Sequence, residues 1–125
     1  MEEPEINYFF DTYAIVEILK ENMNYESYKD FQATITIFNL AELYWSCLDS
    51  FNKEELEKIY AEYKEAVVEI DDETLKEAVK FRKEHKKQNL SYTDCIGYIY
   101  AKRHKMRFLT GDKEFQHLEN VEFAK

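Results

Sequence analysis

A chain of 125 residues has the length of one domain, and 45% hydrophobic with 16% aromatic residues supply enough apolar surface for a core, which excludes a disordered acidic tail. Two glycines and one proline leave little loop punctuation, so residues 1–125 read as a single, mostly regular domain. A net charge of −9 argues, taken alone, against a nucleic-acid partner.

In chain order, Ile6, Asn7, Tyr8, Phe9 and Phe10 read as a buried strand, and Asp11-Thr12 carries the signals of a turn into a helix. Ala14, Ile15, Ile18 and Leu19 recur at helical spacing, which predicts a helix over 12–22 with one apolar face. Thr34, Ile35, Thr36 and Ile37 are rich in β-branched residues and predict a second strand. The stripe Leu40, Leu43, Tyr44, Cys47 and Leu48 predicts a helix ending near Asp49. Leu56, Ile59, Tyr60, Tyr63 and Val67 predict a charged one over about 53–65. Val67 to Ile70 reads as a short edge strand. Asp71 or Asp72 caps the next helix, marked by Leu75, Ala78, Val79 and Arg82 and running out near Gln88-Asn89. Residues 92–104 read as a strongly apolar helix, Met106–Thr110 as a strand, Lys113–Leu118 as a short helix and Val121–Ala124 as a last strand. Strands alternating with helices imply an α/β fold, a parallel sheet with helices on both faces.

Four acids stand where a strand pattern ends or a helical one begins: Asp11, Glu42, Asp94 and Asp112. Each has a structural explanation as a cap. Asp11 can cap the first helix, Asn39 to Glu42 and Ser91 to Asp94 fit capping boxes, and Asp112 can cap the segment after it. As a set they point elsewhere, because sites in open α/β sheets form beyond the carboxyl ends of the strands. Asp94 opens a strongly apolar helix, where a carboxylate without a counter-charge is costly. Glu42 lies opposite the Leu40, Leu43 and Cys47 stripe, which predicts that it faces a cleft. Carboxylates gathered together repel one another unless a cation or proton sits among them. With no Cys/His ligand set competing, the cation implied is hard, Mg²⁺ or Mn²⁺, and the site that of a metal-dependent phosphodiesterase.

The charge distribution softens the objection from −9. Residues 80–107 hold 9 bases and 2 acids, whereas residues 1–79 hold 6 bases and 20 acids. That basic band brackets Asp94, as a phosphodiester substrate would require, although lysine runs are also ordinary solvated faces. Cys47 and Cys95 read as buried free thiols rather than a disulfide. The acids of residues 1–5 stand where a secretory leader is positive, and no apolar run approaches membrane-spanning length, so a cytoplasmic protein is expected. His85, His104 and His117 are isolated and lack metal-ligand spacing.

Phe10-Asp11-Thr12, Asn39 to Leu43, Leu90 to Asp94 and Leu109 to Phe115 together resemble the PIN-domain ribonucleases, and among them the small VapC-type toxins and their archaeal relatives. The resemblance covers nearly the whole chain in the right order. It implies a parallel sheet of about five strands and one or two Mg²⁺ or Mn²⁺ ions held by Asp11, Glu42, Asp94 and Asp112. Thr12 and Thr110 match hydroxyl positions that support such a site, and Glu114 falls where many members carry a further Asp. Cys95 and Gly97 depart from the usual pattern without removing a ligand.

The resemblance further implies an endoribonuclease that cuts single-stranded or structured RNA by metal-activated water, leaving 5′-phosphate and 3′-hydroxyl ends. A VapC-like toxin would be held by a small antitoxin protein, and Tyr44, Trp45, Tyr60 and Tyr63 are candidates for that groove or for a homodimer face, with core packing the competing role. Lys83, Lys86, Lys87 and Arg103 are the candidates for RNA contact. The rival readings are a housekeeping RNA-processing nuclease without an antitoxin, and a catalytically silent PIN-like module that binds RNA or protein.

Overall fold

The computed structural model describes residues 5–125, so all but Glu5 of the acidic N-terminal stretch lies outside the described residues. Among the described residues three parallel strands form the sheet, β1 (Tyr8–Phe10), β2 (Arg107–Thr110) and β3 (Val121–Phe123), in that order. Phe9 pairs with Phe108, and Phe108 in turn with Val121. Alternation across the pleat gives the sheet two apolar faces. Tyr8, Phe10 and Leu109 point into one core layer with helices α1 (Thr12–Leu19), α2 (Ile37–Cys47) and α3 (Lys53–Lys64). Phe9 and Phe108 point into the other, under α4 (Asp72–Glu84) and α5 (Tyr92–Arg103).

The sheet has three strands where about five were expected. The segment at 34–37 shrinks to one parallel bridge, Ile35 to Val67, and the edge strand expected at 67–70 shrinks with it. Both segments lie where strands would lie: Phe10 N–H donates to Thr34 O at 2.9 Å, and Val68 N–H to Ile35 O at 2.9 Å. What stops the second strand is Thr36. Its hydroxyl accepts the Asn39 amide and caps α2, so the chain is helical from Ile37 onward. The helix expected over 12–22 also ends early, at Leu19. Glu21 takes a left-handed conformation (φ 60°), and Asn22 then caps a 3₁₀ turn over Met23–Tyr28. The segment after Asp112 is a 3₁₀ turn over Lys113–Phe115 rather than a helix to Leu118.

Gly97 fixes how closely α5 lies on the sheet. A Cβ there would stand 2.6 Å from Phe9 Cε1 and 3.3 Å from Phe108 Cε1. Cys47 and Cys95 are free and buried, one in each core layer. No described helix is long and apolar enough to cross a membrane.

Candidate active site

Because β1 and β2 are parallel, the residues that follow them leave the sheet at one edge. Asp11 follows β1 and donates its amide to Leu109 O at 3.0 Å, which prolongs the ladder by one bond. Asp112 follows β2 after Gly111, α2 brings Glu42 to the same edge, and the first turn of α5 brings Asp94. With Thr12, these four acids line one open cleft of about 370 Å³.

The caps sort differently from what the sequence suggests. Asp11 occupies the N-cap position of α1 in backbone terms, but its side chain caps nothing. Its Oδ2 instead accepts the Thr110 hydroxyl at 2.7 Å. The box at α2 pairs Thr36 with Asn39, one turn earlier than an Asn39–Glu42 box, so Glu42 is released. Its Oε1 accepts the Thr12 hydroxyl at 2.7 Å, and Thr12 Oγ1 accepts Asn39 Nδ2 at 3.1 Å. Asp94 and Asp112 do cap. Asp94 Oδ2 accepts the Ser91 amide at 2.9 Å, and Asp112 Oδ1 accepts the Glu114 amide at 3.0 Å. Thr110 serves both strand ends, since its Oγ1 also accepts the Asp112 amide at 3.0 Å.

Each of the four carboxylates thus spends one oxygen on a protein donor and keeps a second that bonds nothing among the described residues. No buried side-chain oxygen there lacks a partner, so these second oxygens open to the cleft. Burial pushes the Asp11 carboxyl up to about 8; the charges of Asp94, Glu42 and Asp112 add to the rise and the Thr110 hydrogen bond opposes it. Asp94 is raised too, by burial first, with Glu42 and Asp112 adding and the Ser91 bonds opposing. Among the described residues, the one basic side chain lining the cleft is Lys20.

The donor chemistry suits a hard cation: four carboxylates supply free oxygens, and no imidazole or thiol of the described residues lines the cleft. Among the described residues, however, no three His, Cys, Asp or Glu side chains stand close enough together to hold a metal ion as they are. Like charges with nothing between them stay apart, so a cation binding there would have to draw them inward.

Of the other sequence candidates, Thr12 and Thr110 sit at the site with their hydroxyls engaged, while Glu114 contributes its backbone amide to Asp112. Lys83 and Lys86 line a separate pocket at the end of α4, and Lys87 is exposed beside them. Arg103 stands at the opposite end of α5 from Asp94, ion-paired to Glu77 at 3.2 Å. Tyr44 packs edge-to-face on Tyr60 and Tyr63 is buried, whereas Trp45 is 77% exposed and lines a shallow hollow with Glu42 and Thr12. Sequence pattern assigns no site role to Asn39, a buried residue that holds Thr12, nor to Tyr13, Glu17, Lys20 and Ser46, which line the cleft. The signal for Asn39 is its place three residues before Glu42 on the same helix, and a capping explanation masks it.

The family model described as PIN domain matches residues 8–121. Solved structures are similar over almost the full chain. A toxin–antitoxin complex from Klebsiella pneumoniae shares 17% identity at a TM-score of 0.75, covering 93% of this chain and 96% of that one. VapBC2 from Rickettsia felis, bound to a DNA fragment from its promoter, shares 17% identity at 0.70, covering 96% and 100%. VapBC-1 from nontypeable Haemophilus influenzae shares 19% identity at 0.68, covering 94% and 96%. No curated protein sequence matches this chain.

Proposed function

The chain belongs to the PIN-domain family, and on that premise we propose that it is a divalent-metal-dependent endoribonuclease, the toxin of a toxin–antitoxin pair. The observation that carries the proposal is the convergence of Asp11, Glu42, Asp94 and Asp112, from four separate segments, on one cleft with an oxygen of each left free. Burial raises the proton affinity of Asp11, and the charges of Asp94, Glu42 and Asp112 add to it, so a proton or a cation relieves the charge gathered there.

Mg²⁺ or Mn²⁺ bound there would lower the pKa of a water and neutralise charge at the scissile phosphate. Asp11, Glu42, Asp94 and Asp112 are the residues to hold it. Thr110 fixes Asp11 and the Asp112 backbone together, so the ends of β1 and β2 present their carboxylates in one register. Thr12, held by Asn39, fixes Glu42 against α1. Lys20 stands on the rim as the cation able to meet a substrate phosphate.

The exposed Trp45 beside Glu42 supports a protein partner at the same opening, since a single aromatic of that size left in water suits an interface anchor. One solved structure similar to this fold is itself a toxin–antitoxin complex and two others are VapBC structures, and an antitoxin is the partner proposed here.

The test is direct. Purified protein with Mn²⁺ cuts single-stranded RNA internally and leaves 5′-phosphate and 3′-hydroxyl ends. EDTA stops the cutting, and so does Asp11→Asn without loss of fold. Activity in Asp11→Asn, or ends carrying 2′,3′-cyclic phosphate, would overturn the proposal.

A further inference from the structure

Across the first turn of α5 from the acid cleft lies a second pocket, of about 260 Å³, between the end of α4 and the start of α5. Arg82, Lys83 and Lys86 line it with Tyr92, and no acidic side chain of the described residues does. In a chain of net charge −9, three cations lining one pocket with no carboxylate in its lining form a local reversal of field, although Glu84 stands between Lys83 and Lys86 in the sequence. None of the three is in an ion pair among the described residues, whereas the cations Lys102, Arg103 and Arg107 are all paired with glutamates.

The aromatic member has a specific setting. Arg82 lies over the Tyr92 ring with its guanidinium carbon 4.2 Å from the centroid. It is held in place by its own Nε–H, which donates to Leu90 O at 3.0 Å. The guanidinium thus covers one ring face and keeps its terminal N–H groups for other acceptors. Tyr92 nevertheless remains 56% exposed, so much of its side chain is left to solvent. An electron-rich ring backed by a fixed cation is a platform for a flat heterocycle, and flanking lysines supply phosphate contacts.

Position links this pocket to the acid cleft. Ser91 caps α5, which puts Tyr92 at the first helical position and Asp94 at the third. At 3.6 residues per turn their side chains leave opposite sides of the helix while their backbones are about 3 Å apart along its axis. A strand leaving the acid cleft over that turn therefore reaches Tyr92 next.

We propose that this pocket is a nucleotide subsite for the single-stranded RNA substrate, with one base stacked on Tyr92 and its phosphates met by Arg82, Lys83 and Lys86. The subsite rests on the nuclease proposal for the identity of its ligand. Its alternative occupant is a base-free polyanion, which would use the lysines and ignore the ring.

The full chain in EDTA, where it cannot cut, is titrated with a fluorescent single-stranded RNA at several salt concentrations. Tyr92→Ala weakens affinity about tenfold, the size of one base–aromatic stack, and leaves the salt slope unchanged. Tyr92→Phe restores the affinity, because stacking needs the ring and not the hydroxyl. The double variant Lys83→Glu, Lys86→Glu weakens binding and lowers the salt slope by about 1.4, about 0.7 for each single-strand phosphate no longer neutralised. Circular dichroism checks that each variant is folded. Absence of RNA binding overturns the subsite. So does Tyr92→Ala binding like the wild type, or a loss for Tyr92→Ala that is equal for RNA and for inorganic tripolyphosphate. Adding Mn²⁺ separates the two proposals. Ring-dependent binding without any cleavage keeps the subsite and removes the nuclease. Cleavage and binding indifferent to Tyr92→Ala keep the nuclease and remove the subsite.

Discussion

Thr110 donates its hydroxyl to Asp11 at 2.7 Å across 99 residues of sequence, and this bond holds the charged form of a carboxylate that burial opposes. Desolvation first, and then the charges of Asp94, Glu42 and Asp112, raise the proton affinity of Asp11. Thr110 also accepts the Asp112 amide, so one side chain couples two of the acids.

Thr110→Val keeps the shape and removes both bonds. We expect a cost of about 1–3 kcal/mol, the range for leaving buried polar groups without partners, together with loss of metal-dependent cleavage. Thr110→Ser, which keeps the hydroxyl, should recover most of both. Urea unfolding and an RNA cleavage assay on the pair check this; a Val variant as stable and active as the Ser variant would show the bond to be incidental.

Without metal, stability should fall as pH rises. Asp11 has a folded pKa of about 8 against an ordinary 3.8, so between those values the folded state binds the proton more tightly than the unfolded chain. The stability it contributes is complete below about pH 4 and lost as pH climbs through 8. Asp94 shifts in the same direction. Asp71, held low by Thr74, opposes them, but it is exposed and counts for less. Melting temperatures in EDTA from pH 5 to pH 8.5 should therefore decline; a flat or rising profile would contradict the burial of Asp11.

Asp11→Asn removes the titrating charge and keeps an acceptor for Thr110. The apo protein should then melt a few degrees higher at pH 8 than the wild type, because like-charge repulsion and desolvation are both relieved. Mn²⁺ should raise the wild-type melting temperature by mass action and leave the variant almost unchanged. Equal metal-induced shifts in the two proteins would place the cation somewhere other than this cleft.

Gly97→Ala sets two effects against each other. Alanine favours a helix interior by about 1 kcal/mol over glycine. Its Cβ, however, would stand 2.6 Å from a Phe9 ring that is fully buried and stacked on Phe108 with centroids 5.8 Å apart. The ring has nowhere to swing, and overpacking of this kind costs about 1–3 kcal/mol. Net destabilisation is expected, measured as a lower urea midpoint with the slope unchanged. An increase in stability would mean that α5 can lift off the sheet without loss.

Much of the fold could be read locally. The helical stripes at Leu56, Ile59 and Tyr63 and at Leu75 and Ala78 became α3 and α4 because a 3.6-residue period leaves one side of a helix apolar. Tyr8, Phe9 and Phe10 behaved as a strand because alternating side chains serve two faces, and all three are buried. The β-branched run at 34–37 misled for a local reason with a tertiary outcome. Propensity favoured a strand, but the Thr36 hydroxyl found the Asn39 amide and the chain turned helical.

By itself, the sequence determined that Asp11, Asp94 and Asp112 stand at the ends of elements and which helices carry apolar stripes. Both are set by neighbours within a turn or two, where spacing alone decides geometry. Glu42, expected in a first turn, lies instead in the middle of α2. Only the tertiary structure decided that Asp11 bonds Thr110 rather than capping α1, that Glu42 bonds Thr12 rather than Asn39, and that Arg103 pairs with Glu77 far from the acids. Those partners lie 99, 30 and 26 residues away in the chain. Each such choice depends on desolvation and on which donor the fold brings within about 3 Å, and neither quantity exists until the helices have packed on the sheet.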